Sequence, residues 1–325
     1  MTLQLSHHQT MADDTGRLER LERLRLLKER RPPQAPRQLP NFVEERARAE
    51  AISKKENGIP ENAINLCPNR GMASKVFYLP DTNTVLKVGC TNLVKQNEAE
   101  ALRLLGSKTS VPVPKVHEYY EKNGLGFLHM SKIEGTPLSD VWKEWPQEKR
   151  DKVISQLRGY IEQWQGITGD FYGAIGGNPC EDGFFTHWSP PSRKILKYGP
   201  FASRQEYNAG LVEAIKNSRS LETTSSFPED LAQKISALQG EEKVFSHGDI
   251  YPGNIMVNDD AVITGVIDWE MASFSPKDRD YFEAKHRVRD ESWGAALEGC
   301  FPEDNKANYE LLKELKRTLI IYCGF

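Results

Sequence analysis

The sequence predicts an α+β chain in which a small antiparallel sheet comes first and a larger, mainly helical part follows. Three observations carry this. Short runs with strand-like alternation cluster between Ile64 and Met130. Stripes with helical spacing dominate the second half, the clearest from Gln147 to Ile167. Between them in character is the stretch from Phe245 to Glu270, FSHGDIYPGNIMVNDDAVITGVIDWE, where strands flank a polar loop and polar groups gather at neighbouring strand ends.

Taken in order, residues 1–40 read as an extension, either flexible or a short amphipathic helix. Leu18, Leu21, Leu24, Leu26 and Leu27 would line one side of that helix opposite an Arg-rich face, and PPQAPRQLP stops it. From Asn41, FVEERARAEAISKK is expected to be a helix leading into the first lobe. Strands follow at Ile64 to Leu66, Lys75 to Leu79 and, after a turn at Pro80 to Asn83, Thr84 to Val88. Between the first two strands, Gly71 and its small neighbours leave backbone N–H groups free to approach an anion. Leu93 to Leu105 reads as a helix that ends before Pro112 and Pro114, and strands are expected at Lys115 to Tyr120 and Leu125 to Met130. Ser131 to Gly135 then joins the two parts. In the helix from Gln147 to Ile167, the stripe Val153, Ile154, Leu157, Tyr160, Ile161 and Trp164 is a core face. Residues 171–201, rich in Gly, Pro and aromatics, are expected as an ordered insertion lining the substrate side or as a flap. Further helices are predicted at 204–218, 228–238 and 305–321.

The chemistry lies in the stretch from Phe245 to Glu270. A carboxylate in a loop, Asp249, can orient and accept a hydroxyl proton, while the amide oxygen of Asn254 and the strand-borne carboxylate of Asp268 are the hard ligands that Mg²⁺ prefers. Together they suit phosphoryl transfer. Each residue alone could be an ordinary turn residue. The coincidence of His-Gly-Asp, the spacing to Asn254 and the position of Asp268 argues for one site.

As HGDxxxxN…IDWE, this stretch closely resembles the signature of the aminoglycoside phosphotransferase and choline kinase-like family, which has the bilobal fold of protein kinases. The resemblance runs from about Asn69 to Ala284, and fragments such as GPFASRQEYNAGL look like fungal members. It implies a protein-kinase-like fold with a small antiparallel-sheet lobe at 41–133, a hinge at 131–133 and a larger, mainly helical lobe at 134–325. Asp249 is then the catalytic base, Asn254 and Asp268 are metal ligands, His247 braces the loop, and Asp280 in KDRDYFEA ties that loop down. Lys87 would hold the nucleotide phosphates, oriented by a glutamate of the following helix. Glu98 and Glu100 are the candidates, and residues two apart point about 200° apart on a helix. Glu98 shares the face of Val94, Ala101, Leu102 and Leu105 and fits the family's EAxxLRLL pattern, so it is the choice. Gly71, Met72 and Ser74 occupy the place of the family's phosphate loop, without the GxGxxG of protein kinases, and the backbone of Ser131 and Ile133 that of the adenine contacts.

The expectation is therefore an ATP- and Mg²⁺-dependent phosphotransferase acting on a hydroxyl group of a small molecule. Two alternatives stand beside it: a kinase fold reused for a non-phosphotransfer step in a biosynthetic pathway, and a catalytically silent nucleotide-binding scaffold. A protein kinase is disfavoured, because the HRD, DFG and APE motifs are absent. Charged residues at 27% and a net charge of −3 give no basic field for nucleic acid. The five cysteines lack CxxC spacing, which fits a reduced, cytoplasmic protein, and no run is long and apolar enough for a membrane helix. For a cationic acceptor the second lobe offers Glu181, Asp182, Asp290 and Glu291, although solvated surface charge is the ordinary explanation of such residues.

Overall fold

Five antiparallel strands form the first lobe: β1 (Ile64–Asn65), β2 (Lys75–Leu79), β3 (Thr84–Cys90), β4 (Val116–Lys122) and β5 (Leu125–Ser131), in the order β1-β2-β3-β5-β4. In this computed structural model residues 54–68, 74–185, 188–189, 194–219 and 226–323 are described. The chain divides into two compact units, 1–61 and 62–325. Of the first unit the described part is a helical turn at 54–57, closed where the Ile59 N–H donates to the Lys54 carbonyl at 2.9 Å. The expected helix at Leu18 to Leu27, its proline stop and most of the helix from Asn41 lie outside the described residues, as do Gly71 and Met72.

Strand β3 is the middle strand and is buried on both faces, from Thr84 to Val88, with Lys87 the one charged residue among them. Between β3 and β4 runs α1 (Gln96–Lys108). It begins three residues later than the periodicity suggested, because the N–H groups of Leu93 and Val94 turn back to the Cys90 carbonyl and Lys95 is extended. It also ends before either proline can act. The N–H and hydroxyl of Thr109 both donate to the Leu105 carbonyl, at 2.9 and 2.8 Å, which satisfies an otherwise orphaned acceptor.

After β6 (Thr136–Pro137) and the short α2 (Leu138–Val141), the second lobe is built on α3 (Gln147–Gln165), whose Val153, Leu157, Ile161 and Trp164 are buried as the stripe required. Small strands lie across it: β9 (Val244–Ser246), β10 (Ile255–Val257), β11 (Ile263–Val266) and β12 (Ser273–Ser275). Strand β10 pairs with β11 and β6, and β12 pairs with β9. Around them pack α4 (Arg204–Ser218), α5 (Glu229–Ser236), α6 (Arg279–His286), α7 (Glu291–Leu297) and α8 (Tyr309–Cys323). The described part of 171–201 includes the small hairpin β7 (Trp188–Ser189) and β8 (Lys194–Ile195). Its Tyr172, Phe184, Phe185 and Tyr198 are buried against Tyr207, Leu211 and Phe282, so these side chains build a core and do not line the cleft. The larger core is continuous from sheet to helical lobe. It joins Leu102 and Leu105 of α1, Leu128 of β5, Leu157 and Trp164 of α3, Phe245 and Trp269.

One glycine sets how closely the sheet meets the start of α1. A Cβ on Gly126 of β5 would lie 2.1 Å from the Val94 carbonyl oxygen, a backbone atom that cannot rotate away. Gly126→Ala is therefore expected to destabilise the protein by about 1–3 kcal/mol, the usual cost of overpacking. A urea unfolding midpoint equal to that of the wild type would disprove this reading of the contact.

Candidate active site

A single buried ammonium joins three segments. Lys87, opposite Val76 of β2 and Leu128 of β5, points its side chain away from those of Leu86 and Val88. Its Nζ lies 2.8 Å from Glu98 Oε2 on α1, 2.6 Å from Asp268 Oδ1 and 3.2 Å from Glu270 Oε2. Glu100, the other candidate on α1, instead accepts a hydrogen bond from Gln96 on the exposed side of the helix. Burial by itself would lower the Lys87 pKa, but the three carboxylates outweigh it and hold the proton above the ordinary lysine range. Burial also pushes the Glu98 carboxyl up, to about 7, against the opposing pull of Lys87. Three acids around one base leave an excess of negative charge, and the ligand oxygens of Glu98, Asp268 and Glu270 lie within 4.8 Å of one another.

Facing this cluster is the loop after β9. His247 is fully buried, and its Nε2 lies 3.0 Å from the Ile267 carbonyl while its Nδ1 accepts the Asp249 N–H at 3.1 Å. A carbonyl can only accept, so the proton sits on Nε2 and the ring is neutral. Burial lowers the His247 pKa, which agrees with that state. Asp280 holds the next residue: its Oδ1 accepts the Gly248 N–H and its Oδ2 accepts the Trp164 indole N–H, both at 2.9 Å. Gly248 turns with φ +80, and a Cβ there would meet the Met271 carbonyl at 2.8 Å. The sharp turn thus needs glycine twice over.

The turn presents Asp249 at the cleft, where it is 9% exposed. Burial raises the Asp249 pKa, Arg287 opposes, and Asp268 and Glu283 add to the rise. Its Oδ1 is paired with the Arg287 guanidinium. The Asn254 amide nitrogen donates to the Asp249 carbonyl at 3.0 Å and approaches Oδ2 at 3.3 Å. With its nitrogen so engaged, the amide oxygen of Asn254 makes no hydrogen bond among the described residues. Asp268 follows β11 in a left-handed conformation, φ +67, which an aspartate tolerates better than most residues and which turns its carboxylate back toward Lys87.

The donor set of an Asn amide oxygen and the Asp268 and Glu270 carboxylates is hard and anionic, as Mg²⁺ requires. Asp249 and Asp268 line one cleft, Lys87 and Glu98 join it through Asp268, Asn254 through Asp249, and His247 and Asp280 bind the turn that carries Asp249. Ser74 lies beside β3, close to Gly89. In the segment 131–133, expected to be the hinge, the Ser131 N–H is taken by the Lys115 carbonyl at 2.8 Å, whereas Ile133 makes no hydrogen bond among the described residues. Sequence reasoning missed three residues. Glu270 stood inside the motif without a role. Asn97 donates to the Ala272 carbonyl at 2.9 Å and accepts the Ile175 N–H at 2.9 Å, joining α1 to the second lobe. Arg287 has no local signal, since its partner Asp249 is 38 positions away.

A sequence profile of the phosphotransferase enzyme family matches residues 91–299, well over half of the chain. By sequence, no curated protein matches. Among solved structures, the fold is similar to that of an aminoglycoside-3'-phosphotransferase of type VIII, with a TM-score of 0.50 and 18% identity over 85% of this chain and 99% of that one. It is also similar to a thermostable mutant of the aminoglycoside phosphotransferase APH(4)-Ia in complex with ADP and hygromycin B, at TM-score 0.51 and 15% identity over 85% and 88%. A putative fructosamine-3-kinase from Haemophilus somnus gives TM-score 0.53 and 14% identity over 85% and 89%. At such identities the likeness shows the protein-kinase-like bilobal fold.

The neutral state of His247 has a consequence for stability. A histidine whose folded pKa lies below its unfolded value near 6.5 contributes fully above that pH and loses its contribution as pH falls, because the unfolded chain takes up the proton first. The stability difference between wild type and His247→Leu, from urea unfolding at pH 5 to 8, is expected to be constant above about 6.5 and to shrink below it, by at most about 1.4 kcal/mol per pH unit. The raised carboxyls of Asp249 and Asp280 act in the opposite sense but are present in both proteins. A difference that grows on acidification would mean that His247 is charged in the fold.

Proposed function

The chain belongs to the phosphotransferase enzyme family, and from that premise we propose that it transfers the γ-phosphoryl group of ATP to a hydroxyl of a small molecule, with Mg²⁺ as the metal. The observation that supports this best is the convergence on Lys87 of Glu98 from the first lobe and Asp268 from the second, at 2.8 and 2.6 Å, facing the loop that carries Asp249. In this reading the lobes divide at 131–133, and the free backbone groups of Ile133 take the adenine edge. Lys87, oriented by Glu98, binds the phosphates; Ser74, beside β3, is the described residue of the phosphate loop. Asn254 and Asp268 hold the metal, with Glu270 beside them, and the metal when bound neutralises charge on the transferring phosphoryl group. The neighbours' aminoglycoside substrates make a small polyhydroxylated acceptor the natural class to test first.

Asp249 orients the acceptor through Oδ2, the oxygen not paired with Arg287. As the acceptor oxygen bonds to the γ-phosphorus, the bond to the bridging oxygen of ADP breaks and the hydroxyl proton passes to the carboxylate. A pKa raised by burial makes Asp249 a better acceptor for that proton than a solvated aspartate. His247 and Asp280 do not touch the acceptor; they fix the peptide from Gly248 to Asp249.

Two measurements test the assignment. Mg²⁺-ATP should stabilise the wild type by about 2.7 kcal/mol at a hundredfold excess over Kd, and Lys87→Ala should reduce that gain. Calorimetry that detects no nucleotide binding to the wild type removes the kinase reading. Asp249→Asn should bind Mg²⁺-ATP as the wild type does yet lose phosphoryl transfer by about 10²–10⁴-fold, the usual contribution of a general base. Full transfer by that variant would favour a reused fold.

A further inference from the structure

The cleft that opens at Asp249, about 810 Å³, is lined by both acids and arginines. Asp249, Asp268 and Glu270 are the acids that the phosphates and metal of the proposed reaction would meet. The segment from α6 to α7 contributes Arg287 and Arg289 to the same lining, together with Asp290. Arg287 is held from behind: its Nε lies 3.3 Å from Glu283, which is buried and paired with Arg279 at 2.6 Å. Arg289 is exposed and makes no hydrogen bond or ion pair among the described residues.

The features that would receive a cation are otherwise engaged. Glu181 is paired with Lys95, and Asp182 is buried beside Arg279. Asp290 caps α7 by accepting the N–H groups of Ser292 and Trp293 and also pairs with Lys143 at 3.3 Å. Glu291 lies in the first turn of α7 and is absent from the cleft wall. Recognition of an ammonium on an aromatic surface needs open ring faces. The two cleft tryptophans, Trp142 and Trp293, are only 3% and 2% exposed, packed edge to face, with the Arg150 guanidinium over Trp142, and the half-buried Tyr251 ring lies against Gly253.

We propose, resting on the kinase reading, that the acceptor carries an anionic group, a carboxylate or a phosphate monoester, which Arg289 and Arg287 hold while its hydroxyl sits at Asp249. Guanidinium groups match both anions with paired hydrogen bonds. The pairing of Arg287 with Asp249 gives this anion a second effect. An acceptor anion offers Arg287 another partner and releases Asp249 Oδ1 from its ion pair, which leaves the carboxylate a stronger acceptor for the hydroxyl at Oδ2. Water brings no such anion, so wasteful hydrolysis of ATP stays slow.

The test uses the full chain labelled at arginine with ¹⁵N and saturated with Mg²⁺ and a non-hydrolysable ATP analogue. Acetate and inorganic phosphate should each shift the Arg289 Nε–H resonance saturably, and the tighter of the two names the group. Ethanolamine and tetramethylammonium should leave it unmoved. Arg289→Gln should weaken the anion at least ten-fold, as followed at Arg287, and Lys143→Gln less than two-fold. Anions without effect, a saturable shift by either cation, or equal losses in the two variants would overturn the proposal. Failure of the nucleotide analogue to bind is a separate result that brings down the kinase reading with it.

Discussion

The Lys87 ammonium is the contact on which the site depends. It lies in the middle of the sheet, almost out of water, and its partners come from two distant parts of the chain: Glu98 from α1, Asp268 and Glu270 from beyond β11. A buried charge is tolerated only when paired, and one that is stripped of its partner costs several kcal/mol. The converse holds here as well. With three carboxylates around one base, removing Lys87 leaves an acidic cluster with no counter-charge, and burial already pushes the Glu98 carboxyl up against the pull of Lys87. The cluster is therefore a poor stabiliser, and its excess of carboxylate oxygens suits a cation.

The loop opposite is organised the other way, with neutral groups and backbone hydrogen bonds. Neutral His247 spans Asp249 and Ile267, and Asp280 spans Gly248 and Trp164. The rings are packed as tightly as the bonds: Trp164 meets Trp269 edge to face at 5.3 Å, and the His247 ring lies 4.3 Å from Trp269. Asp249 thus projects from a turn that the core holds in place. A carboxylate held at one position needs little reorganisation when charge develops beside it, the condition from which preorganised sites gain.

Much of this was legible in the sequence, and the parts that were not share a cause. Helices α3 and α4 follow their apolar stripes to within two residues, because burial of one face decides them. The start of α1 was misjudged, because backbone bonds to Cys90 carry no side-chain signal. Ser131 shows the same limit: no side chain announces that its N–H is already given to Lys115. Asp249, Asn254 and Asp268 could be found because their spacing is local. Arg287, Asn97 and the engagement of Glu181, Asp182 and Asp290 could not, because each depends on a partner from another part of the chain.

Asn97 also bears on how freely the site can change state. In the fold of protein kinases, the glutamate partner of the lysine rides on a helix that can swing when the segment beyond the metal aspartate is released. Here that segment is short and paired, since β12 lies against β9 directly after Ala272. Asn97, the residue before Glu98, binds the backbone at Ala272 and at Ile175. Moving Glu98 away from Lys87 would break both bonds in a buried setting, each at about the cost of an unsatisfied polar group, 1–3 kcal/mol. Asn97 thus fixes the helix that carries Glu98 to the second lobe at two points, and the pairing of Glu98 with Lys87 is held from both lobes.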